Sequence, residues 1–384
     1  MQKIELSYAL ARETNVRHVG SAGSAIRNPL LDLLHAVSES GSISAAAKSL
    51  GLSYRHVWGE LKRWEATLAR SLIVWEKGQP ARLSAFGEKL LWAERQAQAR
   101  LAPQIEALHA DLERAFAVAF DDAAHVLTFY ASHDDALAAL REHAAARGLH
   151  LDIRFTGSVD AIGALNQGRC TMAGFHTPPS PAAGTLVQRT YQPLLKPGQH
   201  KLIGFARRSQ GLVVAPRNPL GLIGLPDLER TNARFVNREL GTGTRLLTEE
   251  LLAQARLQAS RINGWERCES SHTAVAQAVA SGVADAGMAI EAAARARGLD
   301  FVPLINEDYY LVCLKSALEF PATQALLQVL RSDGWQARLS QLAGYQPARS
   351  GQVLSLSRQL PWWRYSRAKR TAGLETALSN RKTR

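Results

Sequence analysis

The sequence predicts an α/β protein with an all-α, winged-helix N-terminal domain, a long connecting helix and a two-lobed body. Three observations support this prediction. Two helical patterns flank a glycine turn within residues 41–67, one long helical pattern covers residues 85–120, and strand and helix patterns alternate after residue 126. Alternation of the third kind is typical of parallel sheets that are covered by helices.

The N-terminal domain begins with a helix predicted from Asn28-Pro29 to Val37, since proline is well tolerated in the first turn of a helix. Two further helices are predicted over residues 43–50 and 53–69, with Gly51 in the tight turn between them. This is the pattern of a helix-turn-helix, whose second helix enters the DNA major groove.

A wing follows the second of these helices, because residues 72–75 and 81–84 predict two short strands around a glycine-containing turn. Residues 48–89 carry eight basic and four acidic side chains, so this module is locally positive. Arg55, near the start of the second helix, is the best candidate for a guanine contact. Other basic residues are expected to contact phosphates, and for each the alternative is a solvated surface residue. The candidate DNA contacts are Ser42, Ser53, Tyr54, Arg55, His56, Lys62, Arg63 and Arg82.

One long helix is predicted over residues 85–120, and its apolar residues are spaced alternately by four and by three. This spacing forms the seam of a two-stranded helical pair, so we expect a homodimer, with a tetramer as a further assembly. The alternative is a helix packed on its own domain. Pro103 is expected to interrupt the helix and to start a new one. The seam residues are Leu101, Ile105, Leu108, Leu112, Ala115 and Ala119.

The body contains a weak internal repeat that predicts two lobes. The segment DAIGALNQGRCTMAGF at residues 160–175 resembles TAVAQAVASGVADAGMAI at residues 273–290. Each copy is read as a small-residue helix, a glycine turn and a short strand, so we expect one copy in each lobe. Residues 299–314 are expected to return to the first lobe, and helices within residues 321–342 to close it.

Four turns of the body place hydroxyl groups and backbone amides at the start of a predicted helix. Helix N-termini carry unsatisfied N–H groups and partial positive charge, so several of them around one cleft form an anion site without a metal. The alternative is ordinary N-capping, which uses the same residue types. The candidate ligands in these turns are Ser132, His133, Gly157, Ser158, Thr242, Gly243, Thr244, Ser271 and His272.

Two arginines and a tyrosine complete the candidate anion site. Arg238 and Arg245 lie in the segment NRELGTGTR, and guanidinium groups grip oxyanions and carboxylates. Their alternatives are a loop brace for Arg238 and a solvated helix face for Arg245. Tyr309 is expected to cap the cleft with its hydroxyl.

Other functional classes find little support in the sequence. It has no nucleophile elbow, paired-carboxylate pattern, GxxxxGK[ST] loop or His–Cys metal spacing, so we expect neither an enzyme nor a tightly bound cofactor. No apolar run approaches the ~20 residues of a membrane helix. The N-terminus lacks a signal-peptide core, which predicts a cytoplasmic protein without a membrane partner. The net charge of +12 suggests phosphate contacts.

Residues 28–120 resemble the N-terminal domain of the molybdate-dependent regulators of the ModE type. The resemblance is carried by GSISAAAKSLGLSYRHVW, the following helix ELKRWEATL, the wing and LSAFGEKLL. LysR-type regulators share a looser form of this pattern. The resemblance implies a winged helix-turn-helix that binds a double-stranded DNA operator.

Residues 126–345 resemble the bilobal, type II periplasmic-binding-protein-like domain that is often attached to such regulators. The segments FVNRELGTGTRLLTEELL, SSHTAVAQAVASGVADAGMAI and DYYLVCLK carry this resemblance. It implies a small anionic effector, molybdate or tungstate first, and control of molybdenum-related genes. The arginines leave open a small carboxylate such as formate, or a molybdenum cofactor species. A solute-binding or cofactor-delivery protein that does not bind DNA is the alternative from another class.

The domain organisation that follows has four parts. We expect the winged helix-turn-helix over residues 26–84, the linker and dimerisation helix over 85–122, the effector domain over 126–345 and a basic tail over 346–384. The last 24 residues of the tail, 361–384, hold seven basic side chains and one acidic side chain.

Overall fold

The computed structural model describes residues 28–75, 80–120 and 125–363. The expected basic tail from residue 364 onwards and the turn of the wing at residues 76–79 lie outside the described residues. The chain forms two compact units, Met1–Glu106 and Ala107–Arg384, and the boundary between them falls inside one long helix. None of the described helices combines the length and the apolarity needed to cross a membrane.

The N-terminal unit follows the predicted order of helices and strands. Its described elements are α1 (Pro29–Ser40), α2 (Ile43–Ser49), α3 (Tyr54–Leu68), β1 (Ile73–Val74), β2 (Arg82–Leu83) and the start of α4 (Ala85–Phe120). The Leu30 N–H donates to the Asn28 side chain over 3.0 Å, which begins α1 at the predicted residue. Gly41 ends α1 in the left-handed region, at φ 62°, where glycine is favoured.

The core of this unit is built from the apolar faces of the three short helices and the hairpin. Leu34, Val37, Val57, Leu61 and Leu72 are all at most 2% exposed and belong to one cluster. Strands β1 and β2 pair antiparallel, which gives the predicted wing. The hydrophobic face of α3 therefore points inward and its polar face is left exposed.

Helix α4 runs without a break through Pro103, so the expectation of a new helix at this residue is wrong. A proline removes one backbone N–H from the hydrogen-bond ladder, but the turns on both sides of it continue this 36-residue helix. Leu101, Leu108 and Phe116 are 40%, 61% and 37% exposed in the single chain. The helix thus carries uncovered apolar side chains, two of them in the predicted seam.

The C-terminal unit alternates strands and helices, as predicted. Its first described elements are β3 (His125–Ala131), α5 (Asp135–Ala145), β4 (Leu149–Phe155), α6 (Ser158–Asn166), β5 (Met172–Thr177), α7 (Leu186–Tyr191), β6 (His200–Val214), α8 (Pro226–Arg230), β7 (Phe235–Arg238) and α9 (Gly243–Gln254). They are followed by β8 (Cys268–Glu269), α10 (His272–Ala280), β9 (Ala286–Ile290), α11 (Glu291–Arg295), β10 (Asp300–Leu314), α12 (Pro321–Arg331), α13 (Asp333–Ser340), β11 (Tyr345–Gln346), β12 (Val353–Ser355) and α14 (Leu356–Gln359).

These strands form one mixed sheet in the order β4-β3-β5-β10-β6-β9-β7-β8, with β11 and β12 also paired to β6. Strands β3, β4 and β5 are parallel and make the first lobe, while β7, β8 and β9 are parallel and make the second. The antiparallel strands β6 and β10 belong to both lobes. The far end of β10 pairs with β5, and the far end of β6 pairs with β9.

Strand β6 crosses between the lobes and was not predicted from the sequence. Its middle reads Arg207-Arg208-Ser209-Gln210, a polar run that hides the strand pattern. Arg208 and Gln210 are nevertheless buried. The same residues lie where the sheet passes from one lobe to the other, so they are placed at the hinge.

Candidate functional site

The turns that precede α6 and α9 meet between the lobes. A Cβ atom on Gly157 would lie 2.5 Å from the Gly241 carbonyl oxygen, so the two backbones are in direct contact. A Cβ atom on Gly243 would lie 3.3 Å from the Ser158 hydroxyl oxygen, 3.4 Å from the Tyr191 hydroxyl oxygen and 3.6 Å from His176 Nδ1. Glycine therefore allows a close approach of two turns from opposite lobes.

Two buried histidines line the same region. Burial, together with the positive charges of Arg208 and Arg238, holds the pKa of His176 well below its ordinary value. Burial and the same two arginines, Arg238 first, hold the pKa of His272 well below its ordinary value. Both rings are therefore neutral at neutral pH, and each can donate one hydrogen bond and accept another.

Arg238 ends strand β7 and is only 2% exposed. Its Nη1 donates to the Glu269 carbonyl over 2.8 Å, and its Nε has no hydrogen-bond partner. Burial lowers the pKa of Arg238 to about 10, so the group stays protonated at neutral pH. The charges of Glu239 and Glu269 act in the opposite direction, but burial outweighs them. A buried cation in that state is costly, and an anion bound beside it would offset the cost.

Several further buried polar atoms have no hydrogen-bond partner within the described residues. Most buried polar groups in proteins are bonded, so a concentration of unbonded ones marks a place where a polar ligand fits. These atoms are on the residues described above or on residues that lie next to them. The atoms are Ser132 Oγ, both ring nitrogens of His176, Asn237 Nδ2, Arg238 Nε, His272 Nδ1 and Tyr309 Oη.

Tyr309 is placed by the hinge strand β10. The pairing of β10 with β6 shifts register between Tyr309 and Tyr310. The Tyr309 ring then lies 3.9 Å from the His176 ring, centroid to centroid, and its hydroxyl faces Gly174, where a Cβ atom would lie 2.7 Å from it. Burial raises the pKa of Tyr309 well above its ordinary value, so the phenol is a neutral donor.

The hinge beside this site contains a second buried arginine with its own counter-ions. Arg208 forms ion pairs with Asp134 and with Glu307, and all three side chains are at most 1% exposed. Burial alone would lower the pKa of Arg208, but the charges of Glu307 and Asp134 outweigh it and raise the pKa. Gln210 Nε2 donates to Glu307 and to the Thr244 hydroxyl, over 2.8 Å in each case. This network links the hinge to the start of α9 in the second lobe.

The four predicted turns differ in what their polar groups do. At the first turn, Asp134 accepts the Ala136 N–H over 2.8 Å, so the chain's own carboxylate occupies the start of α5. Ser132 and His133 beside it are both buried. At the second turn, Gly157 offers no side-chain cap, which leaves the start of α6 without one.

The third and fourth turns use their hydroxyl groups as caps. Thr242 Oγ1 accepts from the Arg245 N–H over 3.3 Å, and Ser271 Oγ accepts from the Ala274 N–H over 3.0 Å. The Arg245 guanidinium stacks over Trp265 at 4.2 Å and donates to Glu249 over 2.7 Å. Arg245 therefore stabilises helix α9 through these contacts. Arg238, in contrast, keeps its Nε without a hydrogen-bond partner among the described residues.

Sequence reasoning missed several residues that line this region, namely His176, Tyr191, Arg208 and Asn237. His176 and Asn237 sit at the ends of strands β5 and β7, where ligand groups gather in open α/β sheets. Their position at the ends of predicted strands could have identified these two residues from the sequence. Tyr191 lies on α7, a six-residue helix that no periodicity could reveal.

In the N-terminal unit, α3 exposes the start of its polar face. Ser53 caps the helix by accepting the His56 N–H over 3.1 Å, and Ser42 caps α2 by accepting the Ala45 N–H over 3.3 Å. Tyr54 is 52% exposed, and the side chains of Arg55 and His56 are exposed with no partner among the described residues.

The other candidate DNA contacts lie on the same unit but are partly engaged. Lys62 is paired with Glu65 over 2.8 Å, and Arg63 is paired with Glu60 over 2.5 Å. Arg82 is exposed on strand β2 of the wing. The Lys62 ammonium also lies 4.9 Å from the centroid of the Trp58 ring. Arg55 and Arg82 are thus the cations of the predicted set that have no ion-pair partner within the described part of the chain.

Two protein-family models match the chain. A model of the PBP superfamily domain matches residues 140–331, half of the 384 residues, and a model of the bacterial regulatory helix-turn-helix proteins of the lysR family matches residues 29–88. The chain is 32% identical over 201 residues to the uncharacterized protein YvgK of Bacillus subtilis (strain 168), which covers 52% of this chain and 64% of that protein. The chain thus spans less than two thirds of the length of this relative.

Another relative is an uncharacterized protein in the 5′ region of the ferredoxin 2Fe-2S gene of Clostridium pasteurianum. It is 30% identical over 111 residues, which are 29% of this chain and 98% of that protein.

Among solved structures, the OxyR C206 mutant of Corynebacterium glutamicum is 18% identical, with 79% of this chain and 90% of that chain covered and a TM-score of 0.39. CbnR, a LysR family transcriptional regulator, is 16% identical, with 80% and 100% covered and a TM-score of 0.39.

The family matches agree with the architecture described above. The helix-turn-helix match covers α1, α2, α3 and the wing, and the PBP match covers most of both lobes. The expectation that the chain is not an enzyme is confirmed by the match to a regulator family. The chain belongs to the PBP superfamily and carries a LysR-family helix-turn-helix domain, which is the domain make-up of a ligand-responsive, DNA-binding transcriptional regulator of the LysR type.

Proposed function

We propose that this protein is a transcriptional regulator that binds operator DNA as a homodimer and responds to a small oxyanion, with molybdate and tungstate as the first candidates and molybdenum-related genes as its targets. The observation that carries the anionic effector is Arg238, a buried and protonated side chain whose Nε has no hydrogen-bond partner among the described residues. The choice of molybdate or tungstate rests on the resemblance to the molybdate-dependent regulators.

Four neutral groups near Arg238 suit an oxyanion because they can form hydrogen bonds with it. Neutral His176 and His272, the Asn237 amide and the Tyr309 hydroxyl each offer an uncommitted donor or ring nitrogen. Hydrogen bonds to an ionised acceptor are stronger than neutral ones. An anion in this place would satisfy several buried polar atoms at once.

A small carboxylate is the second candidate, and one observation favours it. Arg238 uses Nη1 for a backbone carbonyl and leaves Nε free, and a planar guanidinium edge matches the geometry of a carboxylate. Formate, or a molybdenum cofactor species that carries an anionic group, would fit the same chemistry.

The effector would act by closing the two lobes. Strands β6 and β10 connect the lobes, and the donors come from both sides: His176 from the first lobe, Arg238 and His272 from the second. A ligand shifts such an equilibrium only through its different affinities for the open and closed states. An anion that bridges the two sets of donors binds the closed state better and therefore favours it.

The N-terminal unit would supply the DNA contacts, and α4 the dimer contact. Arg55 at the start of α3 is free to reach a base edge, and Arg82 on the wing is free to reach a phosphate. The exposed apolar side chains of α4, Leu101 and Leu108, would be covered by the same helix of a second copy. Operator affinity should then fall steeply with salt.

Calorimetry on the full chain with molybdate, tungstate, sulfate and formate tests the effector. We expect heat with molybdate and tungstate and little with sulfate. Heat with formate alone would replace the first candidate by the second. Equal heat with sulfate would remove molybdenum specificity, and no heat with any of the four would reject a small oxyanion effector.

A further inference from the structure

Helix α9 carries a buried carboxylate without an ion-pair partner among the described residues. Glu250 is 7% exposed and forms no ion pair within the described residues. Its Oε2 accepts from the Leu186 backbone N–H over 2.6 Å, and its Oε1 accepts from Gln254 Nε2 over 3.3 Å. Burial of a charge without a counter-ion is costly, so this side chain has to be held by those two donors.

The donor Leu186 belongs to α7, which is fixed to the first lobe. Gln188 and Gln192 of this segment donate to the Trp362 carbonyl over 3.4 and 2.8 Å, and Trp362 Nε1 donates to the Pro181 carbonyl over 3.0 Å. Trp362 is 4% exposed and lies in the same apolar cluster as Val187, which also includes Leu202 of β6. Helix α7 therefore moves with the first lobe.

Helix α9, in contrast, is anchored in the second lobe, although its Leu246 packs against the first-lobe cluster. Its Leu247 and Leu252 pack in a cluster with Phe235 of β7 and Trp265. The same helix starts at Gly243 and so carries one wall of the candidate effector site. The hydrogen bond between the Leu186 N–H and Glu250 consequently crosses from one lobe to the other.

We propose that Glu250 is a positioning residue that latches the two lobes in the closed arrangement through the Leu186 N–H, and so sets the affinity for the effector without contacting it. The inference rests on the proposed effector function. When the lobes separate, this bond is lost and both groups return to water. The latch therefore adds to the stability of the closed state, and a larger closed fraction lowers the apparent Kd of any ligand that needs closure.

Two substitutions remove the latch from opposite sides. Glu250→Gln keeps the shape of the side chain and replaces a charged acceptor by a neutral one. Leu186→Pro removes the donor, and the backbone tolerates it: Leu186 is the first residue of α7, where proline is accepted, and Thr185 before it is extended at φ −71° and ψ 159°. Glu266→Gln, an exposed glutamate of the same lobe, is the matched control.

The distance between the lobes reports the latch independently of any effector. Spin labels on Gln167→Cys and Arg256→Cys, both exposed and one in each lobe, are placed in a Cys268→Ser background. Without anion we expect Glu250→Gln and Leu186→Pro to lengthen this distance distribution and the control to leave it unchanged. An unchanged distribution in both variants overturns the latch, whatever the effector proves to be.

Calorimetry with molybdate, tungstate and formate gives the second readout. For the anion that binds, we expect Glu250→Gln to weaken affinity about fivefold, the difference between a charged and a neutral hydrogen bond. The double variant Glu250→Gln/Leu186→Pro should bind the anion no more weakly than Leu186→Pro alone, because both substitutions act on the same hydrogen bond. Equal affinity of wild type and variants contradicts the proposal. If no anion binds the wild type, the effector proposal fails while the distance measurement still decides on the latch.

Discussion

Arg208 and Arg238 are two buried arginines near the same hinge, and they stand in opposite electrostatic surroundings. Arg208 is 1% exposed and pairs with Asp134 and Glu307, whereas Arg238 is 2% exposed and its guanidinium donates, among the described residues, to a backbone carbonyl. The pKa of the first is raised by its carboxylates, and burial lowers that of the second to about 10. Arg208 is therefore part of the hinge architecture, whereas Arg238 is the arginine that we propose for the effector site.

The largest effect should come from Arg208→Met. This substitution leaves Asp134 and Glu307 buried without a cation, which we expect to lower the free energy of unfolding by about 3–5 kcal/mol. Urea denaturation measures it. The neighbouring Arg207→Met removes a partly exposed pair with Asp308 and should cost less than about 1 kcal/mol. Equal losses in the two variants would show that the hinge network is not a special contributor to stability.

Arg238→Met should separate stability from binding. Removal of a buried cation without a counter-ion is expected to leave the free energy of unfolding unchanged or higher when no anion is present. Anion affinity should fall about 100-fold or more, since one partner of a buried charged contact is lost. Calorimetry and denaturation on the same sample check both. Arg169→Met, at an exposed site of the first lobe, is the control. A stability loss as large as that of Arg208→Met would erase the contrast between the two arginines.

The same contrast between paired and free arginines extends to α3. Arg55 has no partner in the described chain, whereas Arg63 is paired with Glu60. We expect Arg55→Ala to weaken operator binding by about 1–3 kcal/mol and to relax the preference at one base pair. Arg63→Ala should weaken binding to all DNA sequences equally, and by less than Arg55→Ala weakens operator binding. Titration of operators with single base-pair changes compares them. A uniform loss with Arg55→Ala would make it a phosphate contact instead.

The smallest expected effect concerns the neutral histidines. Burial holds the pKa of His272 below its ordinary value, so the unfolded chain binds a proton there that the folded chain does not. The free energy of unfolding is therefore highest above about pH 6.5, the pKa of histidine in the unfolded chain, and it decreases as the pH falls below that value. His272→Asn should reduce the slope of the free energy of unfolding against pH by about 1.4 kcal/mol per pH unit between pH 6 and 5. Denaturation midpoints across that range give the slope, and an unaltered slope would mean that His272 is protonated in the fold.

The sequence was sufficient for the elements whose patterns are local. The helix start at Asn28 was predicted from Pro29 in the first turn and the start at Ser53 from the turn at Gly51, and the structure has caps at both. The long helix was predicted from spacing, although Pro103 proved compatible with its interior. Strand β6 was missed because Arg208 and Gln210 are polar and yet buried, which only their partners on other elements allow.

The candidate site shows the limit of sequence reasoning more clearly. Thr242 and Ser271 were named as ligands from their residue types, and they act as caps, for which the same types are used. Arg238 and Arg245 were equivalent in the sequence, and only Trp265 and Glu249 distinguish them by engaging Arg245. Whether a polar group is free depends on contacts between distant segments, and no local pattern encodes those contacts.

The backbone contact between Gly157 and Gly241 has a genetic consequence. Because a Cβ atom on Gly157 would lie 2.5 Å from a carbonyl oxygen across the interface, even alanine acts as a wedge there. With the effector acting through lobe closure, as proposed above, such an allele would retain its DNA-binding domain and its donors and would lose the response. We therefore expect Gly157→Ala to give a protein that no longer responds to its effector. Genetic selections for unresponsive variants should recover this substitution.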